Sequence, residues 1–124
     1  SKLIISDNVG IAQNVHITTG SELTIGKGTT ILANVFITDI DHDYSEINVP
    51  ILEQKNIIKK TTIGENCFIG IGAAIQAGTI LGKQCIVGAH SVVRGEFPDY
   101  CVIVGTPARI VKKFNFETNK WEKY

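Results

Sequence analysis

From Ile63 onward an aliphatic residue returns at every sixth position: Ile63, Ile69, Ile75, Leu81, Val87 and Val93. A small residue stands two places before each, at Thr61, Cys67, Ala73, Thr79, Cys85 and Ser91. Glycine follows four of the six, at Gly64, Gly70, Gly82 and Gly88. A period of six is neither the 3.6 of a helix nor the 2 of a lone strand. The density of glycine and β-branched residues also argues against a helix. The pattern suits a short strand with one large and one small inward side chain, then a corner, repeated. Three such units close a triangular turn of about eighteen residues, and successive turns stack as parallel strands about 4.8 Å apart.

The amino-terminal third carries the same period in two registers. Ile5, Ile11, Ile17 and Leu23 form one series, and Ile25, Ile31 and Ile37 form the next. Val9, Val15, Ser21, Thr29 and Val35 are read as the small positions. The two-residue slip between the series predicts an irregular corner near Ser21–Leu23. Asn8, Asn14 and Asn66 suit corners that need a positive φ. Cys67 and Cys85 are one turn apart, which stacks them as small buried hydrophobes rather than redox groups. The fold expected is all-β, with about four triangular turns interrupted between the second and the third.

The 124 residues suffice for one domain with a continuous core. A formal net charge of zero gives no general affinity for nucleic acid or anionic membrane. No stretch has the apolar length of a membrane span, and the polar opening (Ser1, Lys2, Asp7, Asn8) is not a signal peptide. Three cysteines at these spacings match no zinc or redox signature. A soluble cytoplasmic protein is expected.

The repeat stops after Ile37 and resumes at Thr61–Ile63, leaving an insert over residues 38–62. Inserts in a solenoid are loops on one face, and long loops in compact domains often carry function. This one reads Thr38-Asp39-Ile40-Asp41-His42-Asp43-Tyr44. A histidine flanked by carboxylates can act as a base near neutral pH, and the carboxylate can orient it or raise its pKa. A solvated acidic loop accounts for the same residues, and the local sequence alone favours that blander reading.

The hexads resemble those of the hexapeptide-repeat acyltransferases. The insert, followed by Ile63-Gly64-Glu65-Asn66-Cys67-Phe68-Ile69-Gly70, is similar to the maltose, galactoside and O-antigen sugar O-acetyltransferases, from about Ile5 to Phe114. The resemblance implies a left-handed parallel β-helix, whereas unaided chirality rules favour right-handed crossovers. It implies His42 as general base and acetyl-CoA as acyl donor with no metal. It further implies a sugar hydroxyl as acceptor, surface-polysaccharide biosynthesis as the setting, and a homotrimer with active sites between subunits. Phe68 stands where that family commonly has Trp.

The stretch Val104-Gly105-Thr106-Pro107-Ala108-Arg109 is similar to the family's terminal signature beside the acyl-CoA channel. By this likeness Gly70, Gly72, Gly88 and Ala89 border the pantetheine arm, with Phe68, Pro107 and Ala108 alongside. Arg94, Arg109 and Lys112, joined by Lys113, form the basic set suited to the nucleotide phosphates. Asn14 and Asp43 are the acceptor-side candidates, while His16 and His90 are read as surface residues. Residues 1–114 form the catalytic domain. The aromatic tail, residues 115–124, is expected to cap the last turn or pack on a neighbouring subunit. At the other end the repeat begins almost at Ser1, so extra acceptor contacts present in relatives are expected to be missing.

Three rival readings share parts of this pattern. An N-acetyltransferase of an amino-sugar nucleotide would use the same fold and donor. A γ-type carbonic anhydrase needs three zinc histidines including a closely spaced pair, which His16, His42 and His90 do not supply. A non-catalytic scaffold or ice-binding solenoid would need a regular outward threonine array, which Thr18-Thr19, Thr29-Thr30 and Thr61-Thr62 do not form.

Overall fold

A computed structural model describes all of residues 1–124. The first coil is built from β1 (Lys2–Ile5), β2 (Gly10–Ile11) and β3 (His16–Thr18), and the second from β4 (Glu22–Ile25), β5 (Thr30–Ile31) and β6 (Phe36–Thr38). A hairpin of β7 (Ile40–His42) and β8 (Asn56–Ile58) then leaves the solenoid. The third coil holds β9 (Thr61–Ile63), β10 (Phe68–Ile69) and β11 (Ala74–Ile75). The fourth holds β12 (Ile80–Leu81), β13 (Ile86–Val87) and β14 (Val92–Val93). A fifth, incomplete coil has β15 (Glu96–Phe97) and β16 (Cys101–Gly105) before the chain reverses into β17 (Ala108–Asn115) and β18 (Lys120–Lys123).

The strands stack into three parallel faces. The first is β1-β4-β9-β12-β15, the second β2-β5-β10-β13-β16, and the third β3-β6-β11-β14, with β17 and β18 added antiparallel to the second. This is the left-handed parallel β-helix expected, with four full coils.

The core follows the six-residue rule. Ile25, Ile63 and Leu81 stack inside the first face, Ile31, Ile69 and Val87 inside the second, and Ile37, Ile75 and Val93 inside the third. All nine are at most 1% exposed. Strands of two or three residues cannot hold such a stack by themselves, so the burial of these columns must. Two columns of left-handed residues turn the corners: Asn8, Gly28, Asn66, Gln84 and Tyr100 between the first and second faces, and Asn14, Asn34, Gly72 and His90 between the second and third. The three asparagines singled out in the sequence all have positive φ. Gly64 has a different reason to be glycine, since an added Cβ would sit 2.5 Å from the Gly82 carbonyl oxygen in the coil below.

The irregular corner lies one step earlier than the sequence suggests. Leu3 pairs with Leu23 and Ile5 with Ile25, so the first coil spans twenty residues. Leu23 therefore fills the smaller inward site two residues before Ile25 rather than closing the first series, and Ser21 belongs to the corner. Asp39 makes this detour possible. Fully buried, it accepts hydrogen bonds from Gly20 N (2.7 Å), Ser21 N (3.0 Å) and Thr19 Oγ1 (2.9 Å), satisfying the donors that the extra residues expose. A second irregularity shortens the fourth coil, so that Phe97 stacks on Leu81 after sixteen residues.

Cys67, Cys85 and Cys101 stack in one buried column, with Cys85 and Cys101 Sγ atoms 3.6 Å apart. The neighbouring Cys85 sulfur and burial push the Cys67 thiol well up, and burial pushes Cys101 up to about 12. The Cys67 and Cys101 thiols hold Cys85 below its ordinary value against burial, but all three sulfurs are buried away from any reactant in solvent. Cys67→Ser is expected to lower stability by about 1 kcal/mol, read as a shift in the denaturation midpoint, with steady-state activity of the folded protein unchanged.

The two ends differ. In the first coil Leu3, Ile5 and Ile11, which are inward by register, are 43–44% exposed because no coil covers them. At the other end Ala108 and Ile110 of β17 pack on the core. The aromatic tail becomes the outer strand of a hairpin, where Phe116 meets Tyr100 edge-on, Phe114 meets Phe116, and Trp121 meets Phe114.

Candidate active site

The insert is a clamped hairpin rather than a loose loop. Ile40 pairs with Ile58, Asp41 with Ile57 and His42 with Asn56. Its root lies over Gly20, where an added Cβ would meet the Ile58 and Ile40 side chains at 2.8 and 3.2 Å. Lys59 N donates to Asp39 O and Gly78 N to Lys59 O, tying the returning strand to the third coil. Side chains alternate across a strand, so Asp41 and His42 leave opposite faces of β7.

Asp41 is held by Arg94, which reaches it from the fourth coil. Arg94 Nη1 donates to Asp41 Oδ2 at 2.7 Å and Nη2 to Oδ1 at 2.9 Å, a two-pronged pair. The same guanidinium donates from Nε to Gln76 Oε1 (3.1 Å) and from Nη1 to the Ala77 carbonyl (3.2 Å). The Arg94 hydrogen bonds hold the Asp41 carboxyl below the ordinary aspartate range against the opposing effect of burial. His42 itself is exposed, with its neighbours arranged and its imidazole open to a substrate. Asp43 is engaged locally, accepting from Ser45 N at 2.9 Å.

Most of the donor-side residues gather elsewhere, at the edge between the second and third faces. Gly70, Gly72, Gly88, Ala89 and Pro107 run down this edge, with exposed Phe68 on the adjoining second face. Gly105 N donates to Ser91 Oγ at 3.1 Å, seating the β16–β17 turn against the fourth coil. His90, read as a surface residue, is exposed but stands in this edge column, its ring filling the space a Cβ on Gly72 would need. The close packing of Gly70 on the Gly88–Ala89 backbone is reason enough for that glycine. Ala108 is 6% exposed and part of the core.

Arg109 and Lys112 stand exposed on β17, where Lys112 faces Lys123 across the hairpin. Arg109 makes only a 3.5 Å contact to the Ala108 carbonyl, so its guanidinium is available to an anion. Asn14 tops the same edge in the first coil. His42, Asp43 and Arg94 lie instead at the edge between the third and first faces. One chain therefore displays the imidazole and the glycine-lined edge on opposite sides of its third face. No three histidine, cysteine or acidic side chains converge as metal ligands would.

The sequence pattern of the family described as bacterial transferase hexapeptide (six repeats) matches residues 60–95. The repeat it describes is the one that builds coils three and four. Over residues 60–95 the chain carries the hexapeptide repeat of that family. WbbJ of Escherichia coli K12, named for lipopolysaccharide biosynthesis O-acetyl transfer, is 40% identical over 98% of the chain. The chain spans 65% of that relative's length, so it corresponds to less than two thirds of the whole relative. A variant of the Bacillus cereus N-acyltransferase AntD, solved with dTDP-4-amino-4,6-dideoxyglucose and coenzyme A, superposes with a TM-score of 0.81 at 20% identity, covering 94% of this chain and 66% of that one. A maltose O-acetyltransferase from Clostridium difficile 630 superposes with a TM-score of 0.67 at 24% identity, covering 92% and 64%. At these identities the two structures establish the fold.

Proposed function

We propose that the chain is an acetyl-CoA-dependent O-acetyltransferase acting on a sugar hydroxyl in surface-polysaccharide biosynthesis, with His42 as general base. The observation that carries this reading is the clamped hairpin. It fixes the strand that bears an exposed imidazole, while a separate edge of small residues ends in a free arginine. The chemistry is direct transfer. His42 takes the proton of the acceptor hydroxyl as its oxygen bonds to the thioester carbonyl carbon, and the tetrahedral adduct collapses with loss of the CoA thiolate. A groove that holds both substrates supplies proximity, and no covalent relay is needed, since all three thiols are buried. The donor is a cytoplasmic metabolite, and the reaction is placed there.

Placement of the two halves on different edges supports a composite site between copies, with the hairpin of one subunit meeting the small-residue edge of the next in a closed trimer. The hairpin tip supports this too: Ile47 and Leu52 are 80% and 86% exposed, unusual for aliphatic side chains without a partner. Asn14 then lies where an acceptor approaching a neighbour's His42 would pass. The alternative acceptor is an amino-sugar nucleotide such as the one held by AntD; transfer to an amine and not to a hydroxyl in an acceptor screen would establish it.

The donor half is tested by calorimetric titration with CoA and acetyl-CoA. Both are expected to bind, and Arg109→Ala is expected to weaken each about tenfold by removing a charge-assisted phosphate contact. Absence of binding to a folded protein would remove the acyltransferase reading. Equal affinity of the variant would remove Arg109 from the site.

A further inference from the structure

Arg94 comes from a part of the chain distant from the insert, yet spends its guanidinium on it. Asp41 and Arg94 are separated by 53 residues, and the contact spans from the fourth coil to the hairpin that leaves the second. Gln76 and the Ala77 carbonyl fix the plane of the guanidinium from the third coil, so it meets Asp41 already oriented. Its Asp41 side chain partner is 26% exposed and Arg94 is 45% exposed. A pair this accessible contributes little to folding stability. Its two-pronged geometry instead constrains direction, and the residue it constrains is the immediate neighbour of His42 on a three-residue strand.

We infer that Arg94 is a positioning residue for His42, acting through Asp41, and not a ligand of the donor's phosphates. The inference rests on the reading of His42 as general base. Two consequences follow from the arrangement. The pair holds β7 against the solenoid, so the imidazole is presented at a fixed distance from the coil edge. The pair also cancels the charge of Asp41 beside the base. The charged groups around His42 are Asp41 and Asp43 on its own strand and turn, Lys55 and Lys59 flanking β8, and Arg94 from the fourth coil. Removing Arg94 leaves an unbalanced carboxylate, which stabilises the imidazolium. Removing Asp41 leaves an unbalanced guanidinium, which disfavours it.

The test uses the intact chain with Arg94→Gln, Arg94→Lys, Asp41→Asn and the double variant D41N/R94Q. His42 is titrated by NMR, its resonance assigned by loss in His42→Ala. Its midpoint is expected to move up in Arg94→Gln and down in Asp41→Asn, opposite displacements that general loosening of the hairpin would not produce. Each single variant is expected to lower kcat on the order of tenfold to a hundredfold, with the acetyl-CoA Kd unchanged and the double variant no worse than either single. Arg94→Lys keeps the charge but not the fork, so it should hold the titration near wild type while still losing kcat. A weakened acetyl-CoA Kd in Arg94→Gln but not in Asp41→Asn would overturn the inference and return Arg94 to the phosphates. Full kcat in both single variants would overturn it as well. Full activity in His42→Ala would instead remove the general base, while the paired NMR displacements would still report on the geometry.

Discussion

His42→Ala is expected to lower kcat by about 10² to 10⁴, the usual contribution of a positioned general base, while acetyl-CoA binds as tightly as before. The reason lies in the separation of the two half-sites. The small-residue edge and Arg109, which hold the donor, are other residues than His42, so truncating an imidazole that meets the acceptor hydroxyl removes none of the donor's holding contacts. The hairpin should keep its shape, because its fixings are Asp39, the Ile40–Ile58 contact over Gly20 and the Asp41–Arg94 pair, none of which involves the ring. The measurement is steady-state turnover with a hydroxyl acceptor beside calorimetry with acetyl-CoA. Turnover equal to wild type would dismiss His42 as the base, and a parallel loss of affinity would mean that the ring touches the donor.

Asp39→Ala is expected to be the most destabilising single change outside the apolar columns. It would strand the Gly20 and Ser21 amides and the Thr19 hydroxyl in a corner two residues longer than its counterparts. At about 1 kcal/mol or more for each orphaned donor, the loss is roughly 3 kcal/mol, or on the order of 10 °C in Tm. Asp39→Asn keeps one acceptor oxygen and should lose less. Burial opposes the charge of Asp39, but the hydrogen bonds from Gly20, Ser21 and Thr19 outweigh it and hold the carboxyl below its ordinary value. A group depressed in this way stabilises the fold fully above the unfolded value of about 4. That contribution is lost as pH falls through the folded value. Wild-type Tm should therefore drop on acidification below that point, and the drop should be shallower in Asp39→Asn. A Tm for Asp39→Ala equal to wild type would show that the corner holds without its carboxylate. Because the same residue anchors the hairpin root, turnover should fall in Asp39→Ala even below its melting range.

The sequence alone determined the solenoid, because a coil of three short strands must bury the same two positions in every hexad. Ile69 or Cys85 can be placed inside by counting. It also located the insert, since interrupting the period is the only way to extrude a loop without breaking the stack. It marked the left-handed corners at Asn8, Asn14 and Asn66, where few side chains tolerate positive φ. The two-residue slip was visible, but its cause was not, and Leu23 was consequently assigned to the wrong inward site. Local periodicity carries no sign of which distant group will satisfy the donors of an irregular corner.

What the tertiary structure decided lies at long range. Asp39, Asp41 and Asp43 are near neighbours of one chemical type, yet one braces a corner, one grips an arginine from two coils below, and one closes a local turn. Arg94, classed by its charge with the phosphate-seeking residues, proved to be bound to Asp41. Stacking brings residues of different coils to the same edge at distances of a few ångströms, whatever their separation along the chain. The partner of each polar side chain is then set by how many residues each coil contains, and a single coil of twenty or sixteen residues shifts every alignment that follows.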